Sequence, residues 1–583
     1  MPKIEVNEAR FFHLLGERCS YTELAGRLSC GKAELDEAPD ESVLPDERVI
    51  KIELNDTNRP DLWSTAGIAR QLRLHRTGRQ TDFSPYFSTP ADPARSLAGT
   101  PLDCVGRVVT VDPELRGIRP FMTAFAVSGK PVDEPMLLDI IQTQEKLCWN
   151  YGRKRRTISM GIYRSAHIKW PVHYRAVDPD KTSFVPLQTA GPMTCRQILS
   201  GHPKGREYGW IIAGFPQFPL LTDDTGEALS MAPIINSATL GAVQVGDSNL
   251  LVEMTGTDMP SLLLAANIVA CDFLDNGCTI LPCRVEHPYD TGFGKNITAP
   301  CYFQQSVDMS LRGMNKLLGG SLTADDAADA LARMGNTIAA AKTAGGDTIF
   351  TVKPAPYRND FLHSVDVMED VMIGKTLAAF PPEKPRDLTV GRLTPLTVFS
   401  RKVKMQMAGL GYQEMRFNYL GRTKDYIDSM NIDGAKVIEI ANPMSENYQF
   451  VRPSIIASLL GAEAGSGNAV YPHKIFEIGK VAFLDAGQAS GTRTVHSLGF
   501  LTAANDANFN ALASEAAALL YFLGHDYEVR ESEDPRFIPG RQAEITVRGK
   551  AAGVFGEVHP ALLEARAITM PCAAGEIDLE ALL

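Results

Sequence analysis

The sequence predicts a multidomain α+β chain, and three observations lead there. A length of 583 residues divides into about four domains of ordinary size. Hydrophobic and charged fractions of 44% and 22% are those of globular proteins, which excludes wholesale disorder and fibrous repeats. Strand-forming runs and helical runs follow one another without a regular βαβ alternation, which favours antiparallel sheets with packed helices.

The 58 basic and 69 acidic side chains leave a net charge of -11, which argues against whole-surface attraction to nucleic acid and leaves room for a local basic patch. The ten cysteines, at 19, 30, 104, 148, 195, 271, 278, 283, 301 and 572, have neither a disulfide-scaffold density nor a paired metal-ligand spacing. Residues 1–20 lack a basic segment followed by an apolar run, and no stretch approaches the roughly 20 apolar residues of a membrane span. A soluble, cytoplasmic chain with no membrane partner is expected.

The opening predicts a strand at Lys3–Val6, helices at Glu8–Leu15 and around Tyr21–Leu28, a polar connection over Glu34–Glu47 and a strand at Val49–Leu54. In NDTNRPDLWSTAGIARQLR, Asn55–Arg73, Pro60 holds Arg59 extended. Ser64 can cap a helix carrying Ile68 and Leu72 on one face. The polar half of that segment reads either as a partner-binding loop or as a capped surface turn. The prolines of 75–100 mark a boundary near 100.

A second unit is expected to run to about 280. Its strands are read in VGRVVTVDP, PFMTAFAVSG, Trp210–Phe215, Ala242–Val245 and Leu250–Met254, with a helix at Met136–Trp149 opened by Pro135. Arg153, Lys154, Arg155 and Arg156 form the densest positive run. They suit phosphate, a solvated turn or an acidic protein surface, and they cannot all share one helical face. His167, His173 and His202 lack a compact metal spacing and read as isolated hydrogen-bonding residues.

A third unit opens after the Gly/Pro-containing region 287–300, with a helix at Ser306–Leu318 stopped by Gly319 and Gly320. A second helix is capped by Thr323 and Asp326 and packs through Ala327, Leu331 and Met334. In APYRNDFLHSVDVMEDV, Asp360 is the candidate helix start, and Asp366, Glu369 and Asp370 follow on neighbouring faces. Such carboxylates suit a hard cation such as Mg²⁺, and they equally suit a helix dipole.

Beyond Pro381, Pro382 and Pro385 the sequence predicts a helix over Phe399–Leu410, strand-like GYQEMRFNYLG and Ile438–Ile440, and a short helix from Ser454 that buries Ile455, Leu459 and Leu460. Strands follow in KIFEIGKVAFL and AEITVRGKAAGVFGEV. Gly409 and Gly411 do not form a dinucleotide fingerprint, no phosphate loop is present, and AGSGNAV at 464–470 is no nucleophile elbow.

Six motifs, in this order, carry a resemblance: NDTNRPDLWSTAGIAR at 55–70, QEKLCWNYGRKRR at 144–156, MAPIINS at 231–237 with VEMTGTD at 252–258, YRNDFLHSVDVMEDV at 357–371, NPMSENYQFVRPS at 442–454 and KIFEIGKV at 474–481. Over essentially its whole length the chain resembles the phenylalanyl-tRNA synthetase beta-subunit family, in the shorter archaeal and eukaryotic form also found in some bacteria. The resemblance implies an N-terminal domain at 1–100, a B3/B4 editing-type domain at 101–285 and a B5 domain at 286–380. It places a C-terminal class II synthetase catalytic-like antiparallel α/β domain, catalytically silent, at 381–583.

The same resemblance implies a beta subunit that does not itself catalyse aminoacylation. Its partners would be a phenylalanyl-tRNA synthetase alpha subunit, in an α₂β₂ heterotetramer, and phenylalanine tRNA. The complex would use ATP to attach phenylalanine to that tRNA. Further implications are hydrolytic editing of tyrosine mischarged on it and Mg²⁺ at Asp360, Asp366, Glu369 and Asp370. Arg358 is left outside the metal shell, as a residue that could contact protein or stabilise the acidic cluster. Phe450, Val451 and Ile455 are expected as core residues, and the stretch after GEVHPALLEA leaves no room for an anticodon-binding domain. No catalytic residue is assigned. The alternatives are an assembly subunit without editing and a stand-alone RNA-binding protein.

Overall fold

The computed structural model describes residues 2–583 apart from 38, 41, 45 and 387. The chain divides into two units, Met1–Glu383 and Lys384–Leu583.

The first unit begins with a three-stranded antiparallel sheet in which Val49–Leu54 lies between Lys3–Asn7 and Ala33–Glu37. Ala33–Glu37 corrects the polar connection expected over Glu34–Glu47. It is an edge strand whose acids meet lysines, Glu37 with Lys51 and Asp36 with Lys3, so an acidic run reads as loop although its backbone is paired. Helices Glu8–Leu15, Tyr21–Leu28 and Thr65–Thr77 pack on this sheet. Ser64 caps the last of them by accepting from the Gly67 amide.

The larger sheet of this unit runs, edge to edge, through Ile235–Asn236, Ala228–Met231, Phe218–Thr222, Val172–Val177, Val108–Val111, Thr279–Glu286, Phe121–Ser128, Asn249–Gly256 and Ile158–Arg164. Asn296–Ala299 pairs beside Thr279–Glu286. Pairing is antiparallel except where Val108–Val111 meets its two neighbours. Helix Met259–Asp275 is buried along most of its length, against a core that also holds Phe11, Leu28, Ile68 and Tyr357. One core therefore draws on residues on both sides of the positions 100 and 286.

Two strand readings and one helix reading change here. Trp210–Phe215 is not a strand: a 3-10 turn, Gly209–Ile211, continues from helix Pro203–Tyr208, and Trp210 faces solvent. Ala242–Val245 is irregular. Ser306–Leu318 is not one helix, because Val307–Ser310 pairs with Asp347–Lys353 and the helix, Leu311–Leu318, starts only where Ser310 supplies its cap. That small sheet is completed by Thr337–Ala344. It packs against helices Ala324–Arg333, with the expected Thr323/Asp326 capping box, and Ser364–Lys375.

In the second unit a seven-stranded sheet runs Gln413–Glu414, His473–Leu484, Thr492–Ala503, Cys572–Asp578, Lys550–Val558, Phe537–Val547 and Tyr527–Glu531. It is antiparallel but for the first pair. Helices Pro395–Gly409 and Phe509–Leu523 share one of its cores, and Ile456–Gly465 buries Leu459 and Leu460 in another. Ile455 is fully buried and Phe450 partly so. The stretch 411–421 holds only two short strands, and Ile438–Ile440 contributes a single bridge, Glu439 to Phe450. No helix among the described residues is long and apolar enough to cross a membrane.

Candidate functional site

One group of acids and one isolated acid stand out, and the structure treats them differently. The first is the expected metal set. Asp360 is not the helix start. It lies in the loop before Ser364–Lys375, and His363 occupies the cap position. Asp360 is gripped by Arg358 in a two-pronged pair at 3.0 and 2.6 Å, which holds its carboxyl at about 2, below the usual range. Asp370 receives the same guanidinium and the Asn336 amide. Asp366 accepts the backbone amides of Leu362 and His363, each at 2.7 Å, and Glu369 pairs at 2.7 Å with Lys32.

Oxygen donors have the right chemistry for Mg²⁺, but here each acid already holds a cation or a donor. Among the described residues no three acid, histidine or cysteine side chains assemble as a metal set. With Arg358, Asn336, two backbone amides and Lys32 already on these oxygens, the arrangement in this chain by itself does not fit the ion. Arg358, fully buried and also stacked 4.9 Å from the Phe361 ring, is the centre of this cluster, with buried Arg59 and its partner Asp61 alongside.

The second is Glu253, which sequence reading did not single out. It sits midway along Asn249–Gly256, opposite Ala124 on one side and Gly161 on the other. Gly161 is required there. A Cβ at that position would fall 2.0 Å from the Tyr163 hydroxyl and 2.6 Å from Glu253 Oε1. In the space so left, the Tyr163 hydroxyl donates to Glu253 Oε1 and contacts Ser230 Oγ, both at 2.8 Å. Glu253 Oε2 is buried with no hydrogen-bond partner among the described residues. Burial pushes the carboxyl up to about 7, against smaller lowering effects from Tyr163 and Arg119.

A cavity of about 300 Å³ opens onto Glu253, lined among others by Gln144, Arg155, Ser159, Ser230 and Asn236. Its polar floor is fixed from behind. Buried Arg119 donates to Thr255 Oγ1 at 3.0 Å, to Ser159 Oγ at 3.0 Å and to the Arg156 carbonyl at 3.0 Å. Arg155 closes one wall by donating to the carbonyls of Pro233 and Ile234 at 3.1 and 3.0 Å, its guanidinium lying 4.1 Å from the Tyr208 ring.

The basic run is thus not four equivalent charges. Helix Glu134–Lys146 passes into a wider π turn, Leu147–Tyr151, and then Arg153, Lys154 and Arg155 take left-handed backbone angles, φ 50°, 57° and 66°. The side chains therefore fan out to different faces. His167, His173 and His202 remain apart. His173 meets Thr110 and Asp224, and His202 caps the helix Pro203–Tyr208.

Family models match the chain twice: "tRNA synthetase B5 domain" over residues 307–375 and "Phenylalanyl tRNA synthetase beta chain CLM domain" over 381–579. Among curated relatives, the phenylalanine–tRNA ligase beta subunit of Treponema pallidum is 45% identical and that of Borrelia recurrentis 43%, each match covering 100% of both chains. That of Borreliella burgdorferi strain ZS7 is 42% identical, again over 100% of both. A solved N-terminal fragment of the phenylalanyl-tRNA synthetase beta subunit from Pyrococcus horikoshii superposes with a TM-score of 0.56 at 30% identity, covering 64% of this chain and 99% of that one. The expected archaeal and eukaryotic type is corrected by these relatives, because the full-length matches are bacterial chains. With full-length identity at this level, the chain belongs to the family of phenylalanine–tRNA ligase beta subunits.

Proposed function

We propose that this chain is the beta subunit, noncatalytic for aminoacylation, of a complex in which an alpha subunit uses ATP to attach phenylalanine to its tRNA, and that the Glu253 pocket removes tyrosine mistakenly attached. Two alpha and two beta chains form the proposed assembly. The observation that carries the editing reading is the buried carboxyl with one free oxygen at the floor of a cavity.

Tyrosine differs from phenylalanine by one phenolic hydroxyl, and an apolar synthetic pocket discriminates weakly against an added hydroxyl. A second pocket that must hydrogen-bond that hydroxyl rejects the analogue lacking it, because a buried polar group is then left without its partner. Glu253 is such a group. A carboxyl near 7 is divided between donor and acceptor forms at neutral pH, so it can pair with a hydroxyl in either role. Phenylalanine cannot satisfy it, and correctly charged tRNA is spared.

The test is hydrolysis of tyrosyl-tRNA by the assembled alpha–beta complex carrying Glu253→Gln. Tyrosine release is expected to fall at least about tenfold, as loss of one charge-assisted hydrogen bond implies, while phenylalanine attachment persists. Unchanged tyrosine release removes Glu253 from the site.

The division into 1–100, 101–285, 286–380 and 381–583 is proposed on the same footing, with editing in the second segment. Mg²⁺ at Asp360, Asp366, Glu369 and Asp370 is proposed only for the assembled complex, where Arg358 and Lys32 would have to release their carboxylates. Equal Mg²⁺ content in wild-type and Asp366→Ala complexes would reject it.

A further inference from the structure

On the other side of the Arg153–Arg155 turn from the Glu253 pocket lies a wider groove of about 1000 Å³, lined by Lys146, Trp149, Tyr151, Arg153, Thr157 and Asp258 among others. The same three stretches of chain border both spaces: Gln144 faces the pocket and Lys146 the groove, Arg155 the pocket and Arg153 the groove, Ser159 the pocket and Thr157 the groove.

We propose that this groove holds the single-stranded 3′ end of an RNA, with Trp149 stacking a base and Lys146 and Arg153 meeting phosphates, so that the strand's terminus is delivered across the turn to Glu253. The proposal rests on the editing reading for its destination, and on the groove itself for its occupant.

Several features favour that occupant. Trp149 is 45% exposed, unusual for a residue of its size, yet it is held in place. Tyr208 meets it edge-on at 6.4 Å, and the Lys154 ammonium lies 5.2 Å from its ring. A fixed, solvent-facing indole beside cations is the stacking platform that unpaired bases use, whereas a duplex keeps its base faces stacked inside.

Among the described residues Lys146 and Arg153 make no ion pair, in a chain whose net charge is -11, so their charge is available to a polyanion. The groove's acid is already engaged: Asp258 accepts the Ser261 amide at 3.0 Å and caps helix Met259–Asp275. Lys3, which also lines the groove, is held by Asp36.

The experiment uses the alpha–beta complex and phenylalanine tRNA in which the unpaired base before the last one is replaced by the fluorescent base 2-aminopurine. Trp149→Ala is expected to abolish the part of the fluorescence quenching due to stacking and to weaken a short single-stranded RNA of the tRNA's 3′ sequence by about fivefold or more. Trp149→Phe, which keeps an aromatic face and controls for misfolding, should restore both. In Lys146→Gln/Arg153→Gln, the slope of log affinity against log salt should fall by about 1.4, two phosphates at about 0.7 each. Quenching, affinity and salt slope all unchanged in these variants would overturn the proposal. Trp149-dependent quenching in a complex that never hydrolyses tyrosyl-tRNA would leave the groove standing and defeat the editing reading. Hydrolysis that proceeds with quenching indifferent to Trp149 would do the reverse.

Discussion

Glu253 and Asp360 are both carboxyls withdrawn from water, yet the fold places them in opposite states. Asp360 lies against a fully buried guanidinium and is held at about 2. Glu253 has no ion pair among the described residues, only the Tyr163 hydroxyl, and is pushed up to about 7. An acid with its own counter-ion is framework: its charge is spent on neighbours. An acid left half-satisfied beside a cavity is a place for something that comes and goes. The difference separates a structural cluster from a recognition site more sharply than the number of acids does.

The largest expected effect breaks the framework side. Arg358→Met strands Asp360 and Asp370 without their cation and should lower the opening free energy of helix Ser364–Lys375, read by hydrogen exchange, by about 3–5 kcal/mol. A loss below about 1 kcal/mol would mean that the pair is not the neutralising element.

Acidity sharpens the contrast next, because the two carboxyls have opposite slopes. Glu253 binds its proton more tightly folded than unfolded, so its contribution is complete below about 4.5 and is lost as pH rises from there through about 7, a change of about 3 kcal/mol. Asp360 behaves the other way: its contribution is present above 3.8 and is lost as pH falls through about 2. Stability profiles of wild type minus Glu253→Gln and of wild type minus Asp360→Asn should therefore tilt in opposite senses. Parallel profiles would dissolve the distinction.

Tyr163→Phe removes the single hydroxyl that satisfies Glu253 and should cost about 1–3 kcal/mol in local opening of strand Asn249–Gly256. Lys32→Ala, at ion pairs with Glu369 and Asp56 that are partly open to solvent, should change stability by no more than about 1 kcal/mol in urea unfolding.

What sequence could disclose followed the range of the forces involved. Caps at Ser64 and at Thr323 with Asp326 act within one turn, and they were readable residue by residue. Helix Met259–Asp275 left no periodic trace, because it is buried on nearly every face and its apolar residues do not alternate with polar ones. The acidic spacing around 360–370 was legible. Its neutralisation was legible only in part: Arg358 stood beside the acids as a residue that could stabilise them, whereas Lys32 arrives from the opening sheet-and-helix segment, beyond any local reading. Glu253 did carry a signal, one acid inside the apolar run Leu250–Met254. A strand buried on both faces does not accept such a residue without a purpose. Its partners Tyr163, Ser230 and Gly161 come from two other strands, a pairing that only the register of the sheet reveals.

The turn at Arg153–Arg155 has a consequence for how this chain tolerates change. Three successive residues with side chains occupy backbone angles that cost about 1–2 kcal/mol each and that glycine would take without strain. Selection for thermal robustness alone would drift these positions toward glycine and make the chain harder to unfold. Long cationic side chains at these positions therefore hold conformational tension that glycine would release, so a glycine-substituted chain is expected to be sturdier and to lose the walls that Arg153 and Arg155 supply.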